Sequence, residues 1–299
     1  SEEIPAAERA RRERMRETTS GITSFTTDSS GLKVAFALSG QLFSGDIISG
    51  NFISIPVQGA VIDPHMSPDG HHIAWSDGRN VHIASSDGSS TRMITNEDSD
   101  SVTWGLADFI AAEELRRMNG LWWSPNSDSL IVERVDNSQV KQWWISDPAN
   151  PDRPAVEHRY PAAGTTNASI SLFTIDLHGS ATQIDLENFE YIVSVAWAKD
   201  KPALITLADR LQKQFTTYAL TDHGLELAHT ASDEQFIDVT PGLPRWVGDE
   251  LLTLKANRET DTYELHLGTK TISPSGLQVF SVLGVNDDFI DATCTRNGV

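Results

Sequence analysis

From about residue 21 onward the chain alternates short apolar stretches with turn residues, a texture of strands rather than helices. Ile22-Thr23-Ser24-Phe25-Thr26-Thr27 is β-prone, Asp28-Ser29-Ser30-Gly31 reads as a turn, and Val34-Ala35-Phe36-Ala37-Leu38, Gln41-Leu42-Phe43 and Ile53-Ser54-Ile55-Pro56 follow. The cycle returns at Met66-Ser67-Pro68-Asp69-Gly70, with Ile73-Ala74-Trp75 and Asn80-Val81-His82-Ile83-Ala84 behind it. It returns at Trp123-Ser124-Pro125-Asn126 with Leu130-Ile131-Val132-Glu133, and more weakly at Val195-Ala196-Trp197 with Ala203-Leu204-Ile205-Thr206-Leu207. Two more copies are Arg245-Trp246-Val247-Gly248-Asp249 with Leu251-Leu252-Thr253-Leu254, and Val279-Phe280-Ser281-Val282-Leu283-Gly284.

Each unit runs strand, turn, apolar strand, gap, strand, turn, strand, and starts recur roughly every 40 to 70 residues, close to the period of a propeller blade. The expected fold is therefore all-β: a β-propeller of four-stranded antiparallel blades. About six units are visible, which fits a ring of six to eight that need not be complete. The extra length of the third and fourth units reads as insertions at a face or rim. A β-sandwich has less reason to repeat Ser-Pro-Asp-Gly ahead of a tryptophan. Residues 1–299 are read as one propeller domain, cut at both ends from a longer chain.

Two segments break the strand texture. Residues 1–19 are rich in Ala, Glu and Arg without glycine and read as a solvated N-terminal helix. A second helix-like insert, Ala112-Glu113-Glu114-Leu115-Arg116-Arg117-Met118-Asn119, runs straight into Leu121-Trp122-Trp123-Ser124-Pro125. Of this tryptophan pair, which alternates faces, one is expected in the core and the other against the central cavity or also packed. Trp143-Trp144 are expected at a rim or in the core.

Composition narrows the partners. Hydrophobic content of 39% and eight Trp support a buried core. A formal net charge of −19 argues against nucleic acid, whose phosphates need clustered Lys and Arg. No apolar run approaches the roughly 20 residues that span a membrane. Cys294 is the one cysteine, so no internal disulfide forms, and it is expected as a small buried residue. His71 and His72 point to opposite faces of an alternating segment and do not make a metal site. No cofactor is expected.

Two adjacent carboxylates, Glu113 and Glu114, are an unusual way to build a core and make sense where a cation must be held. They stand upstream of two more ordered segments: Glu133-Arg134-Val135-Asp136-Asn137-Ser138-Gln139-Val140 and Arg159-Tyr160-Pro161-Ala162-Ala163-Gly164-Thr165-Thr166-Asn167-Ala168. Together with Trp122-Trp123-Ser124-Pro125 this order resembles the N-terminal propeller of dipeptidyl peptidase IV-type enzymes, members of the prolyl oligopeptidase family of serine peptidases. The spacing from the glutamates to the tryptophans is most similar to the dipeptidyl peptidase eight and nine branch and its bacterial relatives. The resemblance covers most of residues 1–180 and is a matter of blade texture beyond.

The resemblance implies a non-catalytic propeller that caps a separate α/β-hydrolase domain, expected after residue 299. The serine elbow of such a domain has the form Gly-x-Ser-x-Gly, which is absent from the 299 residues. The resemblance further implies that Glu113 and Glu114 clamp the free amino terminus of a peptide, and that Arg16 contacts a substrate carbonyl. Arg14 is the alternative, since Arg11, Arg12, Arg14 and Arg16 lie close together. It implies removal of Xaa-Pro or Xaa-Ala dipeptides, a cytoplasmic location, and compatibility with a homodimer. The competing readings are a stand-alone propeller scaffold for protein partners and, more remotely, a glycosidase. The latter sets its two carboxylates about 5–10 Å apart across a bond, which an adjacent pair on one helix fits poorly.

Overall fold

The computed structural model describes residues 8–9, 12–13, 21–187, 189–286 and 289–296. Residues 8, 9, 12 and 13 are helical, with the Arg12 Nε to Glu8 Oε1 ion pair at 2.9 Å. Arg14 and Arg16 lie outside the described residues.

The strands form successive antiparallel sheets in which sequence neighbours pair. The first sheet holds β1 (Thr26–Thr27), β2 (Lys33–Leu38), β3 (Gln41–Asp46) and β4 (Asn51–Ile55). The second holds β5 (Ile62–Met66), β6 (His72–Ser76), β7 (Val81–Ser85) and β8 (Thr91–Met93). The third runs β10 (Leu121–Trp123), β11 (Ser129–Asp136), β14 (Ser169–Asp176) and β15 (Ala181–Ile184). There β9 (Val102–Trp104) pairs with the far half of β11, and the hairpin β12 (Gln142–Ile145) and β13 (Val156–Arg159) is inserted between β11 and β14. The fourth sheet holds β16 (Tyr191–Ala196), β17 (Ala203–Ala208), β18 (Gln214–Thr221) and β19 (Gly224–Ser232). The fifth holds β20 (Arg245–Val247), β21 (Glu250–Asn257), β22 (Thr262–Leu267) and β23 (Lys270–Thr271). A sixth has two described strands, β24 (Leu277–Val285) and β25 (Ile290–Arg296). The all-β blade architecture read from the repeat is thus the observed one.

The recurrence has a local cause. The first hairpin of each four-stranded sheet turns through one left-handed residue: Gly31, Gly70, Ser127, Asp200 and Gly248. In the second sheet the buried Ser67 donates to Asp69 Oδ1 at 2.6 Å and accepts from the His72 N–H at 2.9 Å. Ser124 repeats this in the third, donating to Asp128 Oδ1 at 2.7 Å and accepting from the Ser129 N–H. In the first sheet the Asp28 carboxylate takes the same place, accepting from the N–H groups of Leu32 and Lys33. A short side-chain oxygen that satisfies the turn is what the Ser-Pro motif encodes. At Gly70, φ is +70°, a left-handed conformation that glycine adopts without strain, and a Cβ there would displace the Lys33 side chain, 2.7 Å away at Cδ.

The chain divides into two compact units: Ser1–Glu114 with Met118–Ile184, and Leu115–Arg117 with Asp185–Val299. In the first unit the second and third sheets share a core of Ala74, Val81, Ile83, Leu121, Leu130 and Ile175. A second cluster joins Ala35, Leu42 and Ile55 to Val61, Ile73 and Trp75. In the second unit Leu252 and Leu265 pack on Val279 and Val282.

Three expectations change. Trp143 and Trp144 are exposed, because the two-stranded hairpin that carries them has no second layer over it among the described residues, so the core alternative falls. Cys294 is exposed rather than buried, on the two-stranded last sheet. The helical insert spans Phe109–Glu114, starting three residues earlier than its apolar pattern announced and ending at the second glutamate.

Candidate functional site: a carboxylate pair on a pinned helix

The segment between β9 and β10 leaves the third sheet and returns to it, and its base is closed tightly. Leu106 and Asn119 form an antiparallel bridge. Glu133, buried in β11, holds both ends through its backbone: its carbonyl accepts from the Gly105 N–H at 2.9 Å and its N–H donates to Gly120 O at 2.7 Å. Its side chain adds a third tie, with Oε1 accepting from the Asp108 N–H at 3.1 Å. Gly120 has no room for a side chain, since a Cβ would lie 2.5 Å from the Leu106 backbone.

The helix inside this loop has defined ends. Asp108 caps it: Oδ1 accepts from the N–H groups of Ile110 at 2.9 Å and Ala111 at 3.3 Å. Phe109 packs edge-on against Tyr160, with centroids 5.3 Å apart. Arg116 adopts φ +56°, the left-handed conformation that stops a helix. Arg117 is buried and donates from Nε and Nη2 to Ile192 O at 3.3 and 3.0 Å, anchoring the segment that follows.

Glu113 and Glu114 are the last two helical residues, and both are exposed. Adjacent positions on a regular helix point about 100° apart, but the helix ends at this pair and the backbone reverses two residues later. Carboxylates at a helix C-terminus also oppose the partial negative charge of the last carbonyls, so the arrangement favours a cation beside them.

Beside the helix lies a cleft of ≈ 230 Å³, lined in part by Asp108, Phe109, Ala112, Asn137 and Arg159. Arg159 Nη1 donates to the carbonyls of Asn137, Ser138 and Val140 at 3.0, 3.4 and 3.2 Å. The segments whose order carried the resemblance therefore meet here: the glutamate helix, the Glu133–Val140 stretch and the Arg159–Tyr160 corner. The sequence reading quoted Glu133 and Arg159 without a role and missed Asp108. For Glu133 the signal was a carboxylate directly after the apolar run Leu130-Ile131-Val132 on a strand. Of the tryptophans, Trp123 is buried and its Nε1 donates to His65 O at 3.0 Å, while Trp122 is half-buried.

The strongest carboxylate perturbation lies elsewhere. Burial by itself would raise Asp77, but the His82 imidazole and the N–H groups of Asn80 and Arg79 outweigh it and lower the pKa to about 2. Those partners close a turn, so the shift has a structural source. Among the described residues no group of three or more His, Cys, Asp or Glu could hold a metal, and no helix is long and apolar enough to cross a membrane.

Successive four-stranded antiparallel sheets are the blade pattern of a β-propeller, here with a helical insert carrying paired acids. Residues 30–267 match the family described as the dipeptidyl peptidase IV (DPP IV) N-terminal region, and the chain belongs to that family. It is 27% identical to human dipeptidyl peptidase 8 over 205 residues, 58% of this chain and 23% of that protein. It is 24% identical to dipeptidyl peptidase 4 of Felis catus over 199 residues, 61% of this chain and 26% of that one. The matched region thus spans about a quarter of each relative's length. The crystal structure of Porphyromonas gingivalis dipeptidyl peptidase 4 superposes with a TM-score of 0.75 over 92% of this chain and 43% of that chain, at 19% identity, a likeness of fold.

Proposed function

We propose that this propeller selects substrates for a serine dipeptidyl peptidase by binding the free amino terminus of a peptide, leaving bond cleavage to an α/β-hydrolase domain of the same protein. The observation that carries this reading is the exposed Glu113–Glu114 pair at the end of a helix held by a cap, a bridge and the buried Glu133. An ammonium group has three donors and a full charge, and two carboxylates meet both demands. A rigid mount matters because an enzyme that removes dipeptides must measure a fixed distance from that ammonium group. Arg16, or Arg14 in its place, supplies a guanidinium for a substrate carbonyl. The substrates are peptides that begin Xaa-Pro or Xaa-Ala, and the protein works in the cytoplasm.

Hydrogen bonds to a charged group contribute about 1.5–3 kcal/mol each, so losing one should lower catalytic efficiency about ten- to a hundredfold. The test uses the full-length protein with and without Glu113→Gln, on a free-amino Xaa-Pro chromogenic substrate and its N-acetylated twin. The clamp predicts a strong wild-type preference for the free amine and its loss in the variant. Equal cleavage of the twins with a silent mutation would leave Glu113 a surface residue.

The exposed hairpin face formed by Trp143, Ile145 and Val156, with Trp144 on the opposite face, supports a homodimer, and would serve a stand-alone scaffold equally well. Trp143→Glu should shift sedimentation of the full-length protein toward monomer; an unchanged dimer would move the interface elsewhere.

A further inference from the structure

The second unit contains a cavity of ≈ 520 Å³ between its fourth and fifth sheets, well away from the acidic helix in sequence. That size is typical of small-molecule sites, which range over about 300–1,000 Å³. One wall is built by strand register. Ser194 in β16 lies opposite Thr206 in β17, Thr206 opposite Thr217 in β18, and Thr217 opposite His229 in β19. Direct partners share a face, so four polar side chains form a row across the entire sheet. The last three of them line the cavity. Thr206 and Thr217 are almost fully buried, and their hydroxyls meet at 3.0 Å. Ser194 Oγ, at the end of the row, is buried without a hydrogen-bond partner. A bulge at Ala228 shifts the register of β19 and sets His229 opposite Thr217.

The row is flanked by apolar surface from Val193, Phe215, Leu243, Pro244 and Leu254. The charges near the opening are largely matched. Asp233 pairs with Arg258 while its Oδ1 accepts from the N–H groups of Gln235 and Phe236. Asp238 has Arg116 at 4.0 Å. Lys255 is exposed and lies opposite Glu264 on the neighbouring strand. Burial holds His229 below its usual range, so the imidazole is neutral at physiological pH. The cavity therefore offers hydroxyls and a neutral imidazole beside an apolar collar, and the charged lining residues Asp233, Asp238 and Lys255 stand outside the Thr206–Thr217–His229 row.

We infer that this gap is a binding site for an uncharged amphiphilic small molecule, its apolar body against Phe215 and Leu254 and one hydrogen-bonding group on the Thr206–Thr217–His229 row. It rests on this lining alone and does not depend on the peptide-recognition reading. The probe is Prodan, an uncharged naphthalene with one ketone acceptor, whose emission shifts to the blue on leaving water. Added to the full-length protein it should bind saturably with a blue shift. Ala231→Phe, which places a ring beside Phe215 on the same face, should weaken binding more than tenfold. Thr217→Val keeps the volume but removes a hydroxyl and should weaken it about two- to tenfold. The naphthoate analogue, with a carboxylate for the ketone, should bind more weakly than Prodan. Absence of saturable binding, or binding that Ala231→Phe leaves intact, overturns the proposal and leaves a gap filled by water alone. Should Ala231→Phe fail to fold, unchanged binding by Thr217→Val together with equal binding of the naphthoate overturns it as well.

Discussion

Two seams between neighbouring sheets, one in each unit, use the same repeat for opposite ends. Between the second and third sheets, Ala74, Val81, Ile83 and Ile94 meet Leu121, Trp123, Leu130 and Val132 in one buried apolar cluster. Between the fourth and fifth, the facing residues include Thr206, Thr217 and His229 on one side and Thr253 and His266 on the other, and a cavity remains. Each of the four sheets contains the same four-stranded antiparallel path, to which the third adds β9 on β11 and the inserted β12–β13 hairpin. What differs is which side chains the period-two alternation delivers to the facing surface. A strand such as Ala203-Leu204-Ile205-Thr206-Leu207-Ala208 is fully buried in either case, so burial alone does not say whether a face is a seal or a lining.

The apolar seam should be the costlier to disturb. Leu130 is wholly buried on the central strand of the third sheet. Leu130→Ala removes buried methyl groups and leaves a void between two sheets that are both fixed by their own ladders, so relaxation is limited. A loss of about 2–5 kcal/mol is expected, read as a fall in the urea midpoint at constant slope. A loss near zero would mean that the second and third sheets are no better packed than the fourth and fifth, and the contrast would be void.

The contrast also explains what the sequence disclosed. The units were legible because their turns repeat a chemistry: Ser67 and Ser124 each satisfy a hairpin whose left-handed residue follows at Gly70 or Ser127. The glutamate pair was legible because adjacent acids beside an aromatic strand are rare. Its mount was legible only in part: the Asp108 cap is local, but the tie from Glu133 joins residues 25 apart in the chain, and no local pattern records such a partner. Helix limits shifted because Asp108 sets the start and the left-handed Arg116 sets the stop, and neither carries the apolar periodicity. Trp143 and Trp144 suggested a core by residue type, yet exposure depends on whether a second layer exists. The polar row was hidden because threonine is a good strand former, and Thr206 within an aliphatic run reads as ordinary β-sequence. Arg16 remains a proposal from resemblance.

The open seam yields a smaller and sharper test. Thr206 and Thr217 bond to each other at 3.0 Å inside the fourth sheet. Replacing either by valine keeps the shape and leaves the other hydroxyl without this partner, which should cost about 1 kcal/mol. Replacing both removes the orphan, so the double variant should be no less stable than either single one, and the cycle should show a coupling of about 1 kcal/mol. Urea unfolding of the four proteins measures it. The value of the coupling discriminates between linings. If water reaches the hydroxyls through the cavity, each single variant finds a replacement partner, and the coupling falls toward zero. Strong coupling therefore marks the threonine pair as a dry floor in which one hydroxyl proton is used within the pair, leaving the accepting hydroxyl and His229 to meet a ligand. Weak coupling marks a wetted floor whose hydroxyls are open to exchange, and it makes Thr217→Val the more damaging change to binding than to stability.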